Sequence, residues 1–142
     1  MREQYAHFEA TLENLEPIAT FISTFFLQDS ALSDEKINNF EVSVDEHISN
    51  LVEHALKDAT DSMLTITCRD DSTKAQVIIA DKTAGFDPRN YTVPDLNGKA
   101  IYEIPPGGFG NYFICELMDD VEYTHHPFVN NELILTVYKD QT

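Results

Sequence analysis

Residues 45–55 read DEHISNLVEHA. Glu46, Asn50 and His54 recur every fourth residue, inside a stretch whose other residues have the spacing of a core helix. The apolar set Ile37, Phe40, Val44, Ile48, Leu51 and Ala55 marks one face. At about 100° per residue, the acid, the amide and the imidazole form a stripe at the edge of that face. Such a stripe is neither central to a core nor fully solvated, so its polar groups have to be explained. Taken singly, Glu46 reads as a surface acid, Asn50 as a satisfied core-edge amide and His54 as structural support near a helix end.

The helix is predicted from a Ser33 cap, with Asp34 and Glu35 at its positive end, to about Lys57. Before it, AHFEATL alternates like a strand, with Ala6, Phe8, Ala10 and Leu12 on one side. Asn14 is placed to cap a first helix, Pro17 is tolerated in its first turn, and Ile18, Phe21, Ile22, Phe25 and Phe26 fall at helical spacing. After it, SMLTITCRD and KAQVIIAD form two strands around the turn DDST. Val77, Ile79 and Asp81 share a face, so an aspartate closes an apolar row. The stretch KTAGFDPRNYTVPDLNGKAIYEIPPGG is rich in Gly, Pro, Asn and Asp and reads as one long loop, a feature associated with function in compact domains. A glycine cluster then opens a helix in GGFGNYFICELMDD, and DVEYTHHPFVNNELILTVYKD reads as a hairpin with Asn130 and Asn131 near its turn. Strands and helices do not alternate strictly, so the fold class is an α+β two-layer sandwich. It has a mixed, mostly antiparallel sheet with helices on one face.

The chain has 142 residues and 42% apolar content, enough for a single domain, 1–142, with its own core. No apolar run is long enough to cross a bilayer. MREQYAHFEA lacks the apolar middle of a signal peptide, so a cytoplasmic location is expected. Cys68 and Cys115 each sit among apolar neighbours, which favours buried thiols over a disulfide or a metal pair. Nine basic residues face 25 acidic ones, for a net charge of −16. That balance argues against nucleic acid and against an anionic membrane surface, and it favours a cationic partner surface. Solubility alone would also account for it.

The polar features suggest one chemistry when read together. Backbone N–H groups at a helix start, approached closely over Gly107, Gly108 and Gly110, suit a phosphate. An acidic chain that binds a polyanion needs a mediating cation. Mg²⁺ takes oxygen ligands, and Asn50 offers one. Glu46, one turn earlier, can accept a proton from an attacking hydroxyl. Asp81 can accept a hydrogen bond from an exocyclic amine.

The order of these boxes resembles the Bergerat-fold (GHKL) ATP-binding domains and, among them, the bacterial anti-sigma factor serine kinases. VSVDEHISNLVEHAL is similar to that family's N box, DKTAGFDP to its first glycine box, and GGFGNYFICELMDDVEY to its second. GFDP and LMDDVEY point to the serine-kinase branch, and the resemblance covers nearly the whole chain. It implies ATP and Mg²⁺ as cofactors. It implies Glu46 as general base, or as the group orienting the serine hydroxyl, and Asn50 as the Mg²⁺ ligand. Asp81 would recognise the adenine amine, and Gly85 would let the chain pass close to the base. Gly107, Gly108 and Gly110 would lie at the phosphates, with residues 88–106 as a mobile lid. It also implies a sigma factor or similar regulator and an antagonist protein as partners, phosphorylation of a serine on that antagonist, and a possible homodimer.

The family pattern Asp-x-Gly-x-Gly has Thr83 at its first glycine here. The Thr83 hydroxyl remains available as a nucleotide contact, though its Cβ narrows the backbone options. Asn111 stands where the family has an apolar residue, and the lid carries only Arg89 and Lys99 as cations. Phosphoryl transfer needs charge neutralisation. Two readings follow: a protein-serine kinase, favoured by Glu46, and a nucleotide-gated binding switch, favoured by Thr83 and the cation-poor lid.

Overall fold

A computed structural model describes residues 1–28, 31–90 and 110–139. In chain order the elements are β1 (Arg2–Glu9), a 3-10 turn (Leu12–Asn14), α1 (Leu15–Leu27), α2 (Asp34–His54), β2 (Met63–Asp70), β3 (Lys74–Asp81), α3 (Gly110–Leu117), β4 (Asp120–Thr124) and β5 (Asn131–Tyr138). The strands form one sheet in the order β1-β2-β3-β5-β4. Every pairing in it is antiparallel. This is the expected two-layer α+β arrangement, and among the described residues the sheet is antiparallel throughout where a mixed one was expected.

Period-2 alternation builds the inner face. Leu64, Ile66 and Cys68 of β2, Val77 and Ile79 of β3, and Leu133, Leu135 and Val137 of β5 are buried. Register places Ile66 opposite Ile79, and Ile79 opposite Leu133, so apolar side chains meet across three strands. The helices cover this face. Ile18, Ile22, Phe25 and Phe26 of α1 are buried, and the Phe26 ring stacks on Phe40 of α2 at 5.2 Å between centroids. Burial pushes the Cys68 thiol up to about 12, the expected state of an inert core thiol.

Local signals set most boundaries. Ser33 caps α2 by accepting from the Lys36 N–H at 3.2 Å. Asp71 accepts from the N–H groups of Thr73 and Lys74 and closes the β2–β3 turn. Two boundaries differ from expectation, and the hairpin turn falls beside Asn130 and Asn131 as expected. β1 stops at Glu9, and Leu12 lies 52% exposed in the 3-10 turn, because Asn14 donates its amide to the Glu9 carbonyl at 2.7 Å and turns the chain. That use of the Asn14 side chain leaves α1 without a side-chain cap. α2 ends at His54 rather than Lys57, with Ala55 as its C-cap. Asn131 is the first residue of β5 and is wholly buried, so the β4–β5 connection lies before it.

Candidate functional site

The stripe on α2 is graded. Glu46 is half-buried, Asn50 is buried and His54 is exposed. The His54 ring lies 3.6 Å from the Glu53 carboxylate and stacks on Phe86 at 5.6 Å. Its support is therefore given to Phe86, just past the first glycine-box turn, through ring contact rather than through a bond at the helix end.

Asp81 ends β3 at 1% exposure. Its Oδ1 accepts from the Thr83 N–H at 3.0 Å, the Thr83 hydroxyl at 2.7 Å and the Asn131 amide at 3.0 Å. Its Oδ2 is buried and finds no partner among the described residues. One carboxylate oxygen is thus fully committed, and the other is held in place with its acceptor capacity unused. Thr83 is wholly buried. Its hydroxyl also accepts from the Gly85 N–H at 3.0 Å, so the side chain that replaces glycine here orients Asp81 and shapes the turn.

That turn is clamped from two sides. The Ala84 N–H donates to the Ala55 carbonyl at 3.1 Å, which fastens it to the C-terminal end of α2. From β4 and the residue just beyond it, the Tyr123 hydroxyl accepts from the Phe86 N–H at 3.0 Å, and His125 Nε2–H donates to the Ala84 carbonyl at 2.8 Å. Gly85 sits at φ +85°, where an L side chain is strained. A Cβ there would meet the Tyr123 hydroxyl at 2.6 Å and the His125 ring at 2.7 Å. At Gly85 the chain thus passes close to these two side chains.

Two groups on α2 have shifted titration. Burial, and then the neighbouring Glu53 charge, raise the Glu46 carboxyl above its ordinary 4.5. His47 is wholly buried and neither ring nitrogen has a hydrogen-bond partner among the described residues. Burial lowers it from 6.5 to about 4, against the opposite pull of the Asp81 and Asp87 carboxylates. The unfolded chain therefore binds the proton more readily between those values, and stability rises with pH across that window and is lost as pH falls through it. The loss should reach about 2 kcal/mol at pH 5. His47→Leu, which removes two unpartnered nitrogens, should abolish this slope. Urea unfolding of both proteins at pH 7 and pH 5 measures it, and equal slopes would reject the assignment.

Gly110 is the first residue of α3. Gly107, Gly108, Lys99 and most of the expected lid, 88–106, lie outside the described residues. Of the two lid cations, Arg89 is held by Asp87, with Nε to Oδ1 at 3.0 Å and Nη2 to Oδ2 at 2.9 Å. Sequence reasoning missed Asn131, Tyr123, His125 and His47. Asn131 carried a local signal, as a polar residue opening an apolar strand, and Tyr123 closes the LMDDVEY run.

In this two-layer fold, the turn that follows the buried Asp81 is tied through Ala84 to the C-terminal end of the helix that carries Glu46 and Asn50. A profile of the histidine kinase-like ATPase domain matches residues 8–137, and the chain belongs to that family. It is 28% identical over 95 residues to a protein named serine-protein kinase RsbW from Bacillus cereus, covering 64% of this chain and 58% of that one. It is 32% identical over 93 residues to the protein of the same name from Oceanobacillus iheyensis, covering 63% and 59%. The chain thus spans less than two thirds of the length of these relatives. Among solved structures, the RsbU and RsbW domains of Rv1364c from Mycobacterium tuberculosis superpose with a TM-score of 0.67 at 12% identity, over 100% of this chain and 34% of that one. The histidine kinase domain of the Erythrobacter litoralis EL346 blue-light activated histidine kinase gives 0.58 at 12% identity, over 93% and 62%. These likenesses support the fold. Among the described residues, no helix is long and apolar enough to cross a membrane.

Proposed function

We propose that this domain binds Mg-ATP and transfers its γ-phosphoryl group to a serine of an antagonist protein, in a cytoplasmic switch that also holds a sigma factor or similar regulator. The observation that carries the reading is Asp81. It is a buried carboxylate with Oδ1 saturated and Oδ2 free, which is what an exocyclic amine donor requires. The fit to ATP rests on that atom. The fit to Mg²⁺ rests on Asn50, whose amide oxygen is a hard donor of the kind Mg²⁺ takes beside water and phosphate oxygens. When bound, the ion would neutralise charge on the phosphates.

The chain's own part in transfer falls to Glu46. In the reaction the serine Oγ forms a bond to the γ-phosphorus, the bond from that phosphorus to the bridging oxygen breaks, and ADP leaves. The Oγ proton passes to the Glu46 carboxylate. Burial and Glu53 raise that carboxyl, and so make its ionised form a better proton acceptor. The bidentate hold of Asp87 on Arg89 favours the second reading, a nucleotide-gated switch with little transfer, since this cation is already engaged. Homodimer formation would use the outer edge of β1, a terminal strand of the sheet.

Calorimetry with ATP in the presence of Mg²⁺ should show one site per chain, and no heat at millimolar Mg-ATP would reject nucleotide binding. Incubation with candidate antagonist proteins should add one phosphate by mass. Binding without any added mass would select the switch.

A further inference from the structure

A groove of about 360 Å³ runs between α2 and α3. Glu46, Asp45 and Ser43 line it with the apolar side chains Val42, Ile114 and Leu117. Its position along α2 is informative. The Asp81 turn is fastened to Ala55, Asn50 lies one turn back, Glu46 another, and the groove continues towards Val42. At about 1.5 Å of rise per residue, these features succeed one another over roughly 20 Å. The groove therefore begins where the amine-binding and metal-binding positions end.

Its lining is not self-satisfied. Ser43 is 1% exposed, and its Oγ has no partner among the described residues. Asp45 Oδ1 is buried, and it too has no partner among the described residues. No ion pair among the described residues involves Glu41, Asp45 or Glu46. Burial, together with Glu41, raises the Asp45 carboxyl, and burial also raises Glu41 one turn away. Val42 is 46% exposed at the rim. Unpaired, partly desolvated carboxylates beside an apolar floor suit a cation carried on an apolar segment.

We infer that this groove receives the acceptor segment of the phosphorylated partner. The segment places a lysine or arginine against Asp45 and an apolar side chain against Ile114 and Leu117, so that its hydroxyl meets Glu46. This rests on the phosphotransfer reading and adds to it a sequence preference for the substrate.

The test uses labelled 15-residue serine peptides on the full chain. One set carries Lys or Arg two to four residues from the serine, with a leucine beside it; the matched set carries Glu instead. Anisotropy should show the basic set binding about tenfold or more tightly. Asp45→Asn should reduce that ratio and Asp45→Lys should invert it, with circular dichroism confirming that each variant folds. Equal binding of both sets to the wild-type chain overturns the proposal. So does discrimination that appears only after residues 91–109 are replaced by a Gly/Ser linker, which would make the chain's own segment the occupant. A change of sedimentation with Asp45→Lys in the absence of peptide also overturns it, in favour of a second copy. Calorimetry with Mg-ATP on the same samples separates the two readings. Nucleotide binding with no peptide discrimination rejects the groove alone, and absent nucleotide binding rejects the phosphotransfer reading on which it rests.

Discussion

Glu46→Gln is expected to leave Mg-ATP binding close to that of the wild-type chain and to cut phosphotransfer by about 10²–10⁴-fold. The amide matches the carboxylate in shape, and in the proposed scheme Asn50 and not Glu46 holds the metal. What the change removes is, in that scheme, a proton acceptor on a rigid element anchored in the core by Val44, Ile48 and Leu51. A second consequence separates this role from a structural one. The folded Glu46 carboxyl is raised above 4.5, so the native state holds the proton more tightly than the unfolded chain does. Stability contributed by this group therefore falls as pH rises from 4.5 through the folded value, and the ionised residue opposes folding at neutral pH. Glu46→Gln should be at least as stable as wild type at pH 7, while losing transfer. Single-turnover phosphate incorporation and urea unfolding at pH 7 measure the two halves. A normal rate would reject the base assignment, and lost stability with lost rate would recast Glu46 as a structural group.

Asp81→Asn is expected to weaken adenine-nucleotide binding by roughly 10- to 150-fold, the equivalent of losing a charged hydrogen bond of about 1.5–3 kcal/mol. The surroundings of Asp81 leave an amide no good orientation. With its oxygen at the Oδ1 position, the new NH₂ points a donor at the ligand amine. With the amide reversed, the NH₂ faces the Thr83 N–H, the Thr83 hydroxyl and the Asn131 amide, which all donate to that position now. The first orientation costs binding, and the second also costs the turn through Gly85. Competition between ATP and GTP should show lost preference for adenine along with lost affinity. Unchanged ATP affinity would remove Asp81 from the site.

Thr83 shows how a residue can be noticed in the sequence and its role decided elsewhere. Its departure from the glycine of the family pattern was legible, and so was its hydroxyl. That the hydroxyl turns inward to Asp81 depends on the buried position of the turn and on Asn131, 50 residues away from Asp81 in the chain. His47 carried no signal at all. It is one residue beyond Glu46, and α2 sends it into the core, where Asp81 and Asp87 act on its charge.

The element order, the Ser33 cap, the turn at Asp71, the apolar faces and the stripe of Glu46 and Asn50 were all legible in the chain. Each of these follows from forces acting within about four residues along a helix or in alternation along a strand. The tertiary structure decided which oxygen of Asp81 stays free, what stands over Gly85, and how α3 turns the N-terminal half of the stripe into a groove. Those outcomes depend on side chains that approach only when the antiparallel pairing of β3 with β5, and of β5 with β4, brings Asn131 and Tyr123 beside the first glycine-box turn. Spacing along the chain does not encode such long-range contacts, because they form only when packing closes the sheet against its helices.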